Sequence, residues 1–274
     1  MKSYKEIVED FNSKGIPVEQ PNFYDHPNFI AAEREDPSYL NNYAAFVASR
    51  AYSKEYLEES KIIITTASKM LHEHLKKNGR QGACVDITGI LARILEKHGV
   101  WCACIKGSCT IEFPASSNEE KTHFWSVDQG EFAAAHSWLF APPFNIVDIT
   151  IREQDYSGKK KSYIPKIVLD KKGSNSKAEI EDIISPSIVT NLRMRGIPTE
   201  ELLELSATQM IDVQQYFPVK IVDGINGTKL KYCPVAIHAS EEPLEGIKNM
   251  NFRGKTPYKL YTKYFKEKLG TINA

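Results

Sequence analysis

The sequence predicts an α+β fold: a helical N-terminal lobe, including a helix that begins at a cysteine, packed on an antiparallel β-sheet, with a mixed C-terminal extension. Three observations carry that expectation. Apolar residues recur at helical spacing in two segments before residue 98. Short runs with strand character follow between residues 100 and 151. Two of those runs flank Pro142-Pro143, a turn-forming pair that suits antiparallel neighbours.

Taken in order, residues 1–50 carry Pro17, Pro21, Pro27 and Pro37 among Asn, Tyr and acidic residues, which predicts one short helix and then irregular wrapping segments. Residues 53–77 read as a helix, with Tyr56, Ile63, Ala67, Met70, Leu71 and Leu75 at roughly helical spacing and Asn78-Gly79 as the stop. Residues 84–97 read as a second helix, with a broad stripe of Ile87, Ile90, Leu91, Ile94 and Leu95 ended by His98-Gly99. Strands are expected at 100–105 and 110–113, followed by a polar loop over 116–121, and again at 133–140 and 145–151.

Basic, glycine-containing stretches over 157–161 and 171–177 mark a change of character. Beyond them, residues 177–195 and 199–215 look helical. Residues 219–237 look like a hairpin turning at Asp223-Gly224 or Asn226-Gly227. A stretch with Tyr258, Tyr261, Tyr264 and Phe265 closes the chain, and its rings are expected to pack. The expected organisation is a wrapping segment (1–52), a core (53–157) and an α/β extension packed on it (158–274).

Composition narrows the partners. Lys+Arg and Asp+Glu stand at 35 each, so no long-range attraction to nucleic acid or to an anionic membrane is expected. The N-terminus runs through Lys2, Lys5 and Glu6 without the apolar stretch of a cleaved signal, and runs such as Ile62-Ile63-Ile64 are far too short to span a bilayer. Five thinly spread cysteines do not make a disulfide framework, so a reducing, cytoplasmic setting is expected.

The chemistry concentrates in Cys84, His136 and Asp148. A thiol reacts as its thiolate, and the first turn of a helix supplies unpaired N–H groups and the positive end of the macrodipole. Cys84 falls at that first turn, after Gly79 and Gly82, which let the backbone approach closely. His136 and Trp138 share one face of an alternating strand. Asp148 follows twelve residues later, beyond Pro142-Pro143, where a returning strand brings a carboxylate beside the imidazole. Nucleophile, base and orienting acid are the parts of a cysteine acyl-transfer centre.

The Gly82-x-Cys84 helix start, the helix ending in Gly99 before a strand, His136-x-Trp138 and Val147-Asp148-x-Thr150 together resemble the transglutaminase-like superfamily, within the papain-like class of cysteine enzymes. The resemblance covers roughly residues 55–155. It implies a papain/transglutaminase-like core with Cys84 as nucleophile, His136 as base and Asp148 as orienting acid. It also implies substrate-binding or oxyanion roles for Gln81 and Trp138, and no cofactor or metal. The segment Arg80-Gln81-Gly82-Ala83-Cys84 resembles, in addition, the Arg-Gly-Gly-x-Cys motif of arylamine N-acetyltransferases, with Gln81 in place of a glycine.

Competing assignments are weaker. Cys102, Cys104 and Cys109 with His98 or His123 invite a metal site, but no second Cys-x-x-Cys pair exists and small core residues explain them. His123-x-Trp125 mimics His136-x-Trp138 but has no Val-Asp-x-Thr strand beside it. The expected function is therefore a cysteine protease, amidase or acyltransferase working through a thioester on a peptide, protein or small amide or acyl substrate. The rival is a non-catalytic protein of the same fold whose residues 160–274 form a binding surface.

Overall fold

A capping box opens the chain's first helix: Ser3 Oγ accepts from Glu6 N, and the Glu6 carboxylate accepts from Ser3 N at 2.7 Å. The structure, a computed structural model, describes residues 2–79, 81–128, 135–240 and 242–272. After α1 (Tyr4–Ser13) come α2 (Pro27–Glu35), with proline in its first turn where no N–H is needed, and α3 (Leu40–Ser49). Residues 1–50 thus hold three helices where one was expected. The prolines lie between helices or at a helix start, and the aromatic residues form a cluster of their own. Phe11, Phe23 and Phe46 meet edge-on at 5.1–6.0 Å, and Phe46 lies 5.5 Å from Trp101.

Helix α4 (Lys54–Asn78) is capped by Ser53 and ended by Gly79 in a left-handed conformation, φ +70°. Helix α5 (Cys84–Glu96) buries its stripe of Ile87, Ile90, Leu91, Ile94 and Leu95. Both helices pack with Leu139, Ala141 and Val147 in one continuous core.

The strands are β1 (Ala103–Glu112), β2 (Thr122–Phe124), β3 (His136–Ala141), β4 (Phe144–Asp148), β5 (Val168–Asp170) and β6 (Ser174–Asn175). Four helices follow, α6 (Ile180–Ile183), α7 (Pro186–Met194), α8 (Leu202–Ser206) and α9 (Met210–Tyr216). Then come β7 (Lys220–Asp223), β8 (Lys229–His238) and α10 (Pro257–Tyr264). Among the described residues these strands pair antiparallel in the order β5-β4-β3-β1-β8-β7-β6, with β2 also on β1. Strand β1 is central. Its first half pairs with β3 (Gly107 opposite His136), its second half with β2, and its whole other edge with β8.

Several expectations are corrected. The strands expected at 100–105 and 110–113 are one ten-residue strand, whose continuity is masked by a register shift at Lys106/Gly107. The strand expected over 145–151 stops at Asp148, because that side chain accepts the N–H groups of Thr150 and Ile151 and turns the chain. Of the strand expected over 133–140, residues 133 and 134 lie outside the described residues. The helix expected over 177–195 breaks before Pro186, where the preceding residue is driven out of helical geometry (Ser185 ψ 150°). The helix expected over 199–215 divides into a short 3₁₀ turn, α8 and α9.

The hairpin over 219–237 forms as β7 and β8, closed by Gly224 N–H to Thr228 O at 2.7 Å with Asn226 and Gly227 at positive φ. Residues 158–274 are not an appendage packed on the core. They supply β5 to β8, and β8 lies beside β1 in the middle of the sheet. Among the described residues, no helix is long and apolar enough to cross a membrane.

Candidate active site

The turn that ends β4 builds the acid. Asp148 Oδ1 accepts from Thr150 N (2.8 Å), Thr150 Oγ1 (3.0 Å) and Ile151 N (3.0 Å), while Oδ2 accepts from His136 Nε2 (2.6 Å) and Tyr232 Oη (3.0 Å). Five donors converge on one carboxylate that is 1% exposed. Burial works to raise its pKa, but the His136 charge and these hydrogen bonds outweigh it and hold Asp148 below the usual carboxylate range.

His136 opens β3 and is equally buried. Burial favours the neutral ring; the charge and hydrogen bond of Asp148 override it, Cys84 adds to them, and His136 is pushed up to about 10. The balance favours the protonated ring. Nε2 is committed to Asp148, and Nδ1 is buried with no hydrogen-bond partner among the described residues, which leaves Nδ1 as the nitrogen available to the thiol. The Cys84 sulfur lies 3.7 Å from the carbonyl oxygen of Ala135, the residue immediately before His136. The structure thus brings Cys84, His136 and Asp148 together.

Local sequence explains how α5 presents its cysteine. Gly82 takes φ +67°, a conformation that suits glycine. Ala83 stands at the N-cap and offers no side-chain acceptor, whereas α1, α4 and α10 are capped by Ser3, Ser53 and Thr256. Leaving a first turn uncapped costs about 1 kcal/mol and keeps its N–H groups available to an anion. Thr88 Oγ1, one turn on, donates to Ser137 O at 3.2 Å and ties α5 to β3 beside the histidine. On the other side, His72 Nδ1 meets Ile149 O at 3.0 Å, tying α4 to the turn after Asp148.

The secondary candidates separate. Gln81 is exposed ahead of α5 and makes no hydrogen bond among the described residues, and Arg80 of the same motif lies outside them. Trp138 is 1% exposed and packs beneath the His136 ring. It is a platform, stacked near the His136 ring (centroids 6.2 Å, 27°) and edge-on to Tyr232 (5.0 Å). His123 is away from Cys84: its Nδ1 meets Thr110 Oγ1 at 3.2 Å and its ring stacks on Trp125 at 5.2 Å. Cys102, Cys104, Cys109 and Cys233 are buried free thiols, each pushed up by burial. Among the described residues, no three His, Cys, Asp or Glu side chains group as a metal site.

Two features had no sequence signal. Tyr232 reaches Asp148 from a strand 84 residues away. His238 pairs its Nε2 with Ser137 Oγ of β3 at 2.6 Å, and burial pushes it down to about 4, which favours the neutral ring. His238 also faces a groove of about 710 Å³ along the flank of α5 that carries Val85, Asp86 and Gly89. Compared with protein-family models, curated proteins and solved structures, the chain has no match.

Proposed function

We propose that this chain is a cysteine-dependent hydrolase or acyltransferase with a transglutaminase-like core, acting on amide or acyl bonds through a thioester on Cys84. The observation that carries the reading is the orientation of His136. Its Nε2 is held by Asp148 at 2.6 Å and its Nδ1 is left for the thiol.

In the ion-paired form, His136 carries the proton and the Cys84 thiolate attacks the carbonyl carbon of the substrate. A C–S bond forms and the carbonyl electron pair moves to oxygen. Uncapped N–H groups of the first turn of α5 are positioned to stabilise that oxyanion, a contribution of roughly 3 kcal/mol per donor in such centres. Collapse of the intermediate breaks the bond to the leaving amine, which takes the proton from His136 Nδ1. The neutral imidazole then removes a proton from water or an acceptor amine as that nucleophile attacks the thioester. Breaking the C–S bond releases the acyl product and restores the thiolate–imidazolium pair. Asp148 stays ionised and holds the ring throughout.

Hydrolysis is the favoured outcome, on a peptide, protein or small amide. The five cysteines, all free, suit a reducing compartment such as the cytoplasm. The test is turnover of a peptide-amide library by the purified chain and by Cys84→Ala. The reading expects turnover and a mass adduct on Cys84 in the wild type and neither in the variant. Equal turnover in both would reject it.

A further inference from the structure

Trp138 and Tyr232 do more than floor the triad. On their far side they line a pocket with an interior of about 80 Å³. It lies on the face of the sheet opposite α5, since Trp138, Ile105, Ile146 and Tyr232 share a core with Phe217, while α5 packs with Leu139 and Ala141. Two edge-to-face aromatic pairs frame the space, Trp138–Tyr232 at 5.0 Å and Phe140–Phe217 at 5.2 Å, each at 68°. Interiors this well packed rarely leave a void larger than one water, and five of the eleven residues around this one carry aromatic rings. A void this size takes the edge of an aromatic ring.

Part of the lining has a different character: Asn145 and Lys220, both half-buried, add polar side chains to it. The Lys220 ammonium donates to Asn175 Oδ1 at 2.7 Å and, among the described residues, forms no ion pair with a carboxylate. Aromatic walls with a lysine among them are complementary to an aromatic ring that carries a carboxylate.

We propose that this pocket binds a small aromatic carboxylate and that its occupancy is transmitted to the triad through Trp138 and Tyr232. The path is short. A ring wedged between the two aromatic pairs displaces Tyr232, whose hydroxyl holds Asp148 Oδ2 at 3.0 Å, and Trp138, which stacks near His136. Either shift loosens the carboxylate–imidazole unit that sets the protonation of His136. The site goes beyond the proposed acyl chemistry. Its binding can be read without any assumption about catalysis.

The experiment uses phenylacetate, with phenylacetamide as the uncharged counterpart, on the full chain and on Lys220→Gln. Binding is read by calorimetry, and transmission by the rate of Cys84 alkylation with iodoacetamide. Saturable phenylacetate binding is expected, weakened on the order of tenfold in Lys220→Gln and by a similar factor for phenylacetamide. Saturation is expected to slow Cys84 alkylation at least about fivefold, the low end of typical coupling between sites. Absence of saturable binding to the wild type overturns the site. Equal binding of phenylacetate and phenylacetamide overturns the carboxylate assignment. Binding with an unchanged alkylation rate overturns the transmission. The first two outcomes are independent of the proposed acyl chemistry; the third rests on it, and a slowed alkylation in His136→Ala without ligand separates a failure of transmission from a failure of that reading.

Discussion

Tyr232 and His136 donate to the same oxygen of Asp148, at 3.0 Å and 2.6 Å, from strands on opposite sides of β1. The acid is therefore held from both halves of the sheet. Tyr232→Phe removes one donor from a buried carboxylate and should cost about 1–3 kcal/mol. Urea denaturation at pH 7 would measure it; a loss under a few tenths of a kcal/mol would mean the hydroxyl carries no weight.

The His136–Asp148 pair fixes a pH dependence with a definite sign. His136 is raised from 6.5 to about 10, so its contribution to stability is full below 6.5 and is lost as pH rises through 10. Asp148 is lowered from 3.8, so its contribution is present above 3.8 and is lost as pH falls through its depressed value. Both shifts describe one interaction, which is intact between about pH 4 and 6.5 and erodes on either side. Imidazole NMR should place the His136 titration near 10. In Asp148→Asn the midpoint should fall far below that, since burial then works against the charged ring with only Cys84 opposing it.

Gly107 pairs with His136 of β3 and, on its other side, lies tight against the backbone of Cys233 in β8. A Cβ there would stand 2.1 Å from Cys233 O and 2.8 Å from the tip of the Trp138 ring. Gly107→Ala should therefore destabilise by about 1–3 kcal/mol and disturb the platform under His136. Thermal unfolding together with the His136 NMR signal would register both effects. A variant with unchanged Tm would show that β1 can shift freely.

A second buried ionic cluster ties α5 to the N-terminal segment. Arg93 grips Asp25 with both terminal nitrogens (2.7 and 2.8 Å) and reaches Glu96 (3.2 Å) and Ser240 O (2.8 Å), while Tyr24 donates to Glu96 at 2.6 Å. Burial raises Glu96 from 4.5 to about 6 despite Arg93. A raised carboxylate contributes stability below 4.5 that is lost as pH climbs through 6. The Tm of Glu96→Gln relative to the wild type should therefore increase between pH 4.5 and 7. A flat difference would place the Glu96 titration at its usual value.

Local pattern made much of this architecture readable, and long-range pairing hid the rest. The stripe Ile87–Leu95 and the stop at Gly99 are local signals, and α5 follows them. So is Asp148-x-Thr150, whose turn is closed by the aspartate itself. Strand β1 was obscured because Lys106, Gly107 and Ser108 interrupt its apolar run at the bulge. The place of β8 beside β1 joins Cys104 to His238, a pairing that no local pattern reports. Tyr232 and His238 both ride on that strand, which is why neither could be placed beside Asp148 or Ser137 from its neighbours in sequence. Trp138 was readable as the companion of His136 but not as buried, since strand alternation gives no sign that both faces of this sheet are covered.

The central claim is that His136, steered by Asp148, makes Cys84 reactive. It is tested most directly by the rate of iodoacetamide alkylation of Cys84 at pH 7, mapped by peptide mass spectrometry in the wild type and in His136→Ala. Acid–base partners contribute factors of roughly 10²–10⁴ in such centres. The account predicts labelling of Cys84 ahead of the four other buried thiols, slowed at least about a hundredfold in the variant. Equal rates in the two proteins, with the variant folded, would contradict it.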